Sequence, residues 1–226
     1  GTAPPNWYYF KAGTSPFTIT KPNGLEGNWL KLGFGRKISA TYLKSSLPQK
    51  FKLYFDVVTD KDFSSRSGGS LELILNTEKL NQTSQNQEER LFNNGTVMKI
   101  TVASGNEADL ENNNYRGLLK VSINSSPAVN RENFEEGITA EKPLRDFSSK
   151  KNKIHITVLV KDGKVSIYSN GKLLIEPVDF KMKYGGPCQL CGIPTGRSFA
   201  SLSINNITNN ATETAVYISN INIVKE

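Results

Sequence analysis

Three carboxylates at alternate positions, Glu107, Asp109 and Glu111, are the residues of this chain best spaced for chemistry. On an extended strand successive side chains point to opposite faces, so all three would share one face. Carboxyl groups about 5–5.5 Å apart suit glycoside cleavage by double displacement. The flanks favour a different local structure. Ser104-Gly105-Asn106 precedes the motif and Asn112-Asn113-Asn114 follows it, which is loop composition. A solvated acidic turn is therefore the favoured reading, with catalysis by Glu107, Asp109 and Glu111 as the alternative. Asp109, Glu111 and Asn113 also offer alternating oxygen ligands for calcium, but no glycine stands where an EF-hand loop requires one. No cofactor is expected beyond calcium as an option that rests on composition alone.

The other reactive side chains form no recognisable site. Asp60 and Asp62 are a weaker oxygen pair. Glu72 and Glu78, and the group Glu132, Glu135 and Glu136, have spacings that favour solvation over paired acid–base work. His155 is the single histidine and sits inside an alternating run, so the serines have no base near them in sequence. Cys188 and Cys191, in Gly-Gly-Pro-Cys-Gln-Leu-Cys-Gly, are too few for a four-ligand zinc site. They open no helix of a βαβ unit, which a thioredoxin-like site needs. A disulfide stapling a short loop in an exported protein is the expectation, with two reduced thiols as the alternative. No glycine-rich phosphate loop follows a strand and opens a helix.

Sugar recognition requires exposed aromatic rings with amides or carboxylates nearby. Tyr115 and Tyr184 lie in loop-like segments and are the best candidates, joined by Trp7 and Tyr9 from the Trp7-Tyr8-Tyr9 cluster. Trp29, between Asn28 and Leu30, is expected in the core. The Asn-Xaa-Ser/Thr sequons at Asn81, Asn94, Asn124, Asn206 and Asn210 carry meaning only in a eukaryotic secreted protein.

The chain has 226 residues, 37% of them hydrophobic, which suits half-exposed antiparallel strands better than a buried parallel sheet. Its formal charge of +7 is compatible with an anionic partner, including an anionic polysaccharide. The densest basic cluster, Lys150, Lys151 and Lys153, has no interleaved aromatics and reads as a solvated face, so nucleic acid is not expected as a partner. No apolar run approaches the ~20 residues of a membrane-spanning helix. The start Gly1-Thr2-Ala3 has the look of a trimmed terminus.

The elements that must position any site are strands. Ile154 to Val160, Lys164 to Ser169 and Lys172 to Ile175 alternate and are joined by Asp162-Gly163 and Asn170-Gly171. Both dipeptides suit two-residue turns that need positive φ, so the segment reads as a three-stranded antiparallel meander. Its own polar residues read as turn and solvent-face chemistry, with any site placed elsewhere. Phe51 to Val58 alternates strictly, with Phe51, Leu53, Phe55 and Val57 on one face. Further strands are expected at Trp7–Phe10, Phe17–Thr20, Trp29–Leu32, Lys37–Leu43, Leu71–Leu75, Val97–Ala103, Arg116–Ile123, Phe199–Ile204 and Ala215–Val224. A loop or short helix is expected between Thr77 and Leu91, and an irregular insertion from Ser125 to Lys150. With no repeat and no linker, one all-β domain over 1–226, a two-sheet antiparallel β-sandwich, is the economical reading.

The phrase Val165-Ser166-Ile167-Tyr168-Ser169-Asn170-Gly171-Lys172 and the closing Tyr217-Ile218-Ser219-Asn220-Ile221-Asn222-Ile223 resemble the C-terminal half of concanavalin A-like lectin/glucanase jelly rolls. Leu47 to Asp56 is similar to the first long strand of exported domains from Bacteroidetes-type bacteria. The resemblance runs from about Trp29 to the C-terminus, with 76–94 and 125–150 unmatched. It implies a jelly roll, and export to the periplasm, the outer membrane or the cell exterior. Retaining glucanases of glycoside hydrolase family 16 in this superfamily carry a similar acidic signature. It would make Glu107 the nucleophile, Glu111 the general acid/base and Asp109 the residue that orients the nucleophile, although Ala108 replaces the usual larger branched residue. Because this fold hosts lectins, hydrolases and interaction domains, the expectation is a non-catalytic carbohydrate-binding or surface-interaction domain. A glycoside hydrolase and a structural cell-envelope module are the alternatives.

Overall fold

The computed structural model describes residues 7–10, 18–22, 24–33, 37–40, 46–59, 70–77, 97–105, 117–124, 138–148, 152–180, 198–207 and 215–226. Among these are fourteen strands and no helix: β1 (Trp7–Phe10), β2 (Thr18–Thr20), β3 (Trp29–Leu32), β4 (Lys37–Ala40), β5 (Phe51–Thr59), β6 (Ser70–Asn76), β7 (Val97–Ala103), β8 (Leu118–Asn124), β9 (Ile138–Pro143), β10 (Lys153–Lys161), β11 (Lys164–Ser169), β12 (Lys172–Asp179), β13 (Ser201–Ile207) and β14 (Val216–Lys225). They form two sheets. The first runs β1-β4-β13-β6-β7-β8-β9 and the second β12-β11-β10-β5-β14-β3-β2. Every neighbouring pair is antiparallel.

Alternation along the strands dictates this layering. Phe51, Leu53, Phe55 and Val57 of β5 are fully buried, as are Ile154, Ile156 and Val158 of β10. They meet Leu71, Leu73 and Leu75 of β6, Met98 and Ile100 of β7, and Leu119, Val121 and Ile123 of β8 in one core cluster. Each such side chain contributes roughly 1.5–3 kcal/mol by leaving water. Asn206 of β13 reaches across this core and donates from Nδ2 to the Leu32 and Gly33 carbonyls of the opposite sheet at 2.9 and 3.1 Å.

The meander β10-β11-β12 forms as the turn dipeptides require. Asp162 and Gly163 have φ of 54° and 74°, and Asn170 and Gly171 of 48° and 81°, the left-handed region that Asn, Asp and Gly tolerate. β10 then lies between β11 and β5, with His155 opposite Asp56 and Thr157 opposite both Tyr54 and Tyr168.

The segment expected to be irregular, Ser125 to Lys150, contains an edge strand. β9 pairs with β8 over Ile138–Pro143, Ala140 packs on the core, and Leu144 and Phe147 beyond it are buried. Only alternate residues of an edge strand face inward, and Thr139, Glu141 and Lys142 hide the pattern in sequence. β13 is also displaced from the expected Phe199–Ile204 to Ser201–Ile207. Beyond Thr77, the helix or loop expected up to Leu91 lies outside the described residues.

The two outward faces differ. On the first sheet, Ile74, Asn76, Ser201 and Ser203 are buried although they point away from the core. On the second, a satellite cluster of Trp29, Val58, Ala215 and Tyr217 packs under Leu25. Residues 24–28 lie over that corner, tied by Trp29 Nε1 donating to the Glu26 carbonyl at 3.0 Å and Ser219 Oγ donating to the Asn28 carbonyl at 2.8 Å. The rest of the face, over β5, β10, β11 and β12, carries Tyr54, His155, Thr157, Tyr168 and Leu173, all partly or well exposed.

Candidate functional site

β5 and β10 turn their polar residues to the same outer face. Phe55 and Val57 point inward, so Asp56 between them points outward, and by the same parity His155 stands opposite it between Ile154 and Ile156. The Asp56 side chain is only 6% exposed. Its Oδ1 lies 2.6 Å from His155 Nδ1, and its Oδ2 lies 3.4 Å from Lys153 Nζ and accepts from Asn220 Nδ2 at 2.8 Å. Asn220 reaches this position because β14 bulges between Ser219 and Asn222, with Asn220 at φ 54°. Burial pushes the Asp56 carboxyl up, but the hydrogen bonds from His155 and Asn220 and the charge of Lys153 outweigh it and hold it below the ordinary carboxylate value.

An ionised carboxylate only accepts hydrogen bonds, so His155 Nδ1 carries the hydrogen in this pair. His155 Nε2 then faces Thr157 Oγ1 at 3.3 Å. The main chain holds the imidazole from the other side: His155 N–H donates to Asn170 Oδ1 at 2.9 Å, and Asn170 N–H donates to the His155 carbonyl at 2.8 Å. The Tyr54 ring stacks on the imidazole, 6.0 Å between centroids and 26° between planes.

One rung further along, Asn222, Tyr54, Thr157, Tyr168 and Leu173 lie side by side on β14, β5, β10, β11 and β12. This makes a partly exposed strip with a hydroxyl between two phenol rings. The lysines bordering it are engaged. Lys52 Nζ is 2.6 Å from Glu226, which raises the Lys52 pKa through that hydrogen bond, and Lys153 Nζ sits 5.6 Å from the centre of the Trp29 ring as well as beside Asp56.

The Asp–His–Thr order is that of an orienting acid, a base and a nucleophile, but Thr157 is set in the middle of a sheet. Thr157 lies mid-strand, paired on both sides to β5 and β11, so among the described residues the main chain around it is engaged in ladders and not presented as an oxyanion hole. Among the described residues no group of three or more His, Cys, Asp or Glu is placed to hold a metal.

Most residues singled out from the sequence are not among the described ones. Glu107, Asp109, Glu111, Asn113, Tyr115, Tyr184, Cys188 and Cys191 lie outside the described residues. Trp7 and Tyr9 occupy β1, paired with Ala40 and Ile38, and their side chains are likewise outside the described part. Trp29 is buried as expected, in the satellite cluster. Lys153, expected on a solvated face, instead pairs with Asp56. The meander, read as frame only, supplies His155, Thr157 and Tyr168. One signal was available: Asp56, of a type depleted in strands, and the single histidine each sit inside an alternating, largely apolar strand.

No protein-family model and no curated protein sequence matches the chain. Solved structures do. A glycoside hydrolase family 16 endo-glucanase from Bacteroides ovatus matches with TM-score 0.56 and 9% identity, over 96% of this chain and 94% of that one. An alginate lyase of polysaccharide lyase family 7 matches with TM-score 0.54 and 10% identity, over 95% and 85%. All share one architecture. The fold is that of the concanavalin A-like jelly rolls. A legume lectin-like domain from Entamoeba histolytica matches this jelly roll too, with TM-score 0.53 and 13% identity over 93% and 90%. At these identities the likeness establishes the fold, which glycan-acting enzymes and lectins both use.

Proposed function

We propose that the chain is a non-catalytic carbohydrate-binding domain, one jelly roll over residues 1–226, and that the strip on the outer face of the second sheet is its binding surface. The observation that carries this reading is the rung Tyr54–Thr157–Tyr168, in which two partly exposed phenol rings stand two strands apart with a hydroxyl between them. At about 4.8 Å per strand, a sugar ring can lie along the gap, stacking on a phenol face while its hydroxyls reach Thr157 and Asn222. The carboxylate beneath is held as an anion by three donors, so it acts as scaffold and not as a proton donor. The glycan-acting enzymes and the lectin-like domain that share this jelly roll give general support to a sugar ligand. Export belongs to the same reading, since polysaccharide ligands are met outside the cytoplasm.

A glycan array followed by affinity electrophoresis tests it. Wild type should be retarded by at least one polysaccharide, and Tyr54→Ala and Tyr168→Ala should each lose the retardation. Full retention of binding in both variants would rule out this strip, and no hit on the array would rule out the glycan reading.

A further inference from the structure

The polar groups of the strip are placed to form a hydrogen-bond chain, and with an anion at its end the neutral imidazole gives that chain one direction, which selects a ligand. Asp56 Oδ1 accepts from His155 Nδ1 at 2.6 Å. In the neutral imidazole this leaves Nε2 with a lone pair and no hydrogen. Thr157 Oγ1, 3.3 Å from Nε2, has a single hydrogen, and giving it to Nε2 satisfies that acceptor. The Thr157 oxygen is then left with unfilled lone pairs on the open side, between Tyr54 and Tyr168. At Thr157, the centre of the strip, the ligand is therefore met by an acceptor.

We infer that the strip selects neutral, hydroxyl-bearing glycans over uronate- or sulfate-bearing ones, with Thr157 as the specificity-determining residue and Asp56 and His155 as positioning residues behind it. This rests on the glycan-binding reading of the same strip. A sugar hydroxyl completes the chain by donating to Thr157. A carboxylate or sulfate placed at Thr157 has no hydrogen to donate, so it sets acceptor against acceptor with the Asp56 anion one rung away. The two lysines that border the strip offer no compensation, because Glu226 holds Lys52 at 2.6 Å and Asp56 holds Lys153 at 3.4 Å. The formal charge of +7 still draws polyanions to the molecule, but that attraction is diffuse and falls with added salt.

The experiment is isothermal titration at about 0.15 M ionic strength, enough to screen diffuse charge. The probes are a neutral set (mixed-linkage β-glucan, galactan, mannan) and an acidic set (alginate, polygalacturonate, heparin). Binding is expected from the neutral set alone. Thr157→Val keeps the branched shape and the strand, and is expected to weaken that binding about ten-fold, the effect of one lost hydrogen bond of roughly 1.4 kcal/mol. Nitrogen-15 spectra of the ring should place the hydrogen of the neutral imidazole on Nδ1, and should do so without any ligand. Acidic-set binding that Tyr54→Ala abolishes would overturn the selectivity while leaving the strip as a glycan site. Unchanged neutral binding in Thr157→Val, or a hydrogen found on Nε2, would overturn the chain itself. No binding by either set would end this inference together with the glycan reading.

Discussion

Asp56 Oδ1 and His155 Nδ1 lie 2.6 Å apart across one rung of β5 and β10, although 99 positions separate them in the chain. The pair is a nearly buried anion joined to a half-exposed ring, with Lys153 and Asn220 on the second oxygen. Removing the anion leaves those donors without their shared acceptor. Asp56→Ala should therefore destabilise the fold by about 2 kcal/mol, the low end for a broken buried network because His155 and Lys153 reach solvent. Urea denaturation should show a lower midpoint at unchanged slope. A change below about 0.5 kcal/mol, typical of an uninvolved surface site, would mean that the cluster does not hold the strands.

The same carboxylate predicts an acid limb. Its folded pKa lies below the ordinary carboxylate value, so its stabilisation is fully present above that ordinary value and is lost as pH falls through the lower folded one. Thermal midpoints of wild type should drop on acidification below about pH 4. Asp56→Asn, which has no proton to take up there, should show a shallower drop. Parallel curves for the two proteins would contradict the prediction.

What could be read from the sequence follows the range of the interactions involved. Turn chemistry is local, so Asp162-Gly163 and Asn170-Gly171 disclosed the meander, and β11 spans Lys164–Ser169 as expected. Period-two alternation disclosed the inward face of β5 for the same reason. β9 was hidden because an edge strand needs few apolar residues, and Ile138-Thr139-Ala140-Glu141-Lys142 does not advertise one. The site was hidden because its partners meet only through strand order. Nothing in a run of residues says that β10 neighbours β5, or that a bulge in β14 brings Asn220 to Asp56. The acidic triplet at Glu107, by contrast, drew notice because its spacing is local.

Gly171 offers a test of conformational cost free of crowding. Its φ is 81°, and a Cβ placed on it would meet nothing within 4 Å. Gly171→Ala should cost about 1–2 kcal/mol from the left-handed backbone alone. A loss above about 3 kcal/mol, the scale of core disruption, would show that the turn also governs the register of β11 against β12.

Asn206 separates donation from mere polarity. Its side chain is fully buried, and its amide donates to the Leu32 and Gly33 carbonyls of the opposite sheet at 2.9 and 3.1 Å. Those carbonyls lie where β3 ends, and the amide nitrogen ties them to the facing sheet. Asn206→Ala withdraws the donor and leaves buried acceptors unmet, at a cost of about 2–3 kcal/mol. Asn206→Asp keeps the shape but replaces the donating nitrogen with an oxygen. An ionised carboxylate would then face two carbonyl oxygens inside the core, and even a protonated one has a single hydrogen for both. The aspartate variant should therefore be less stable than the alanine variant, and should recover part of the difference on acidification as the carboxyl protonates. Guanidinium midpoints at neutral and acid pH give the comparison. An aspartate variant more stable than alanine at neutral pH would mean that volume, and not donation, is what the position requires.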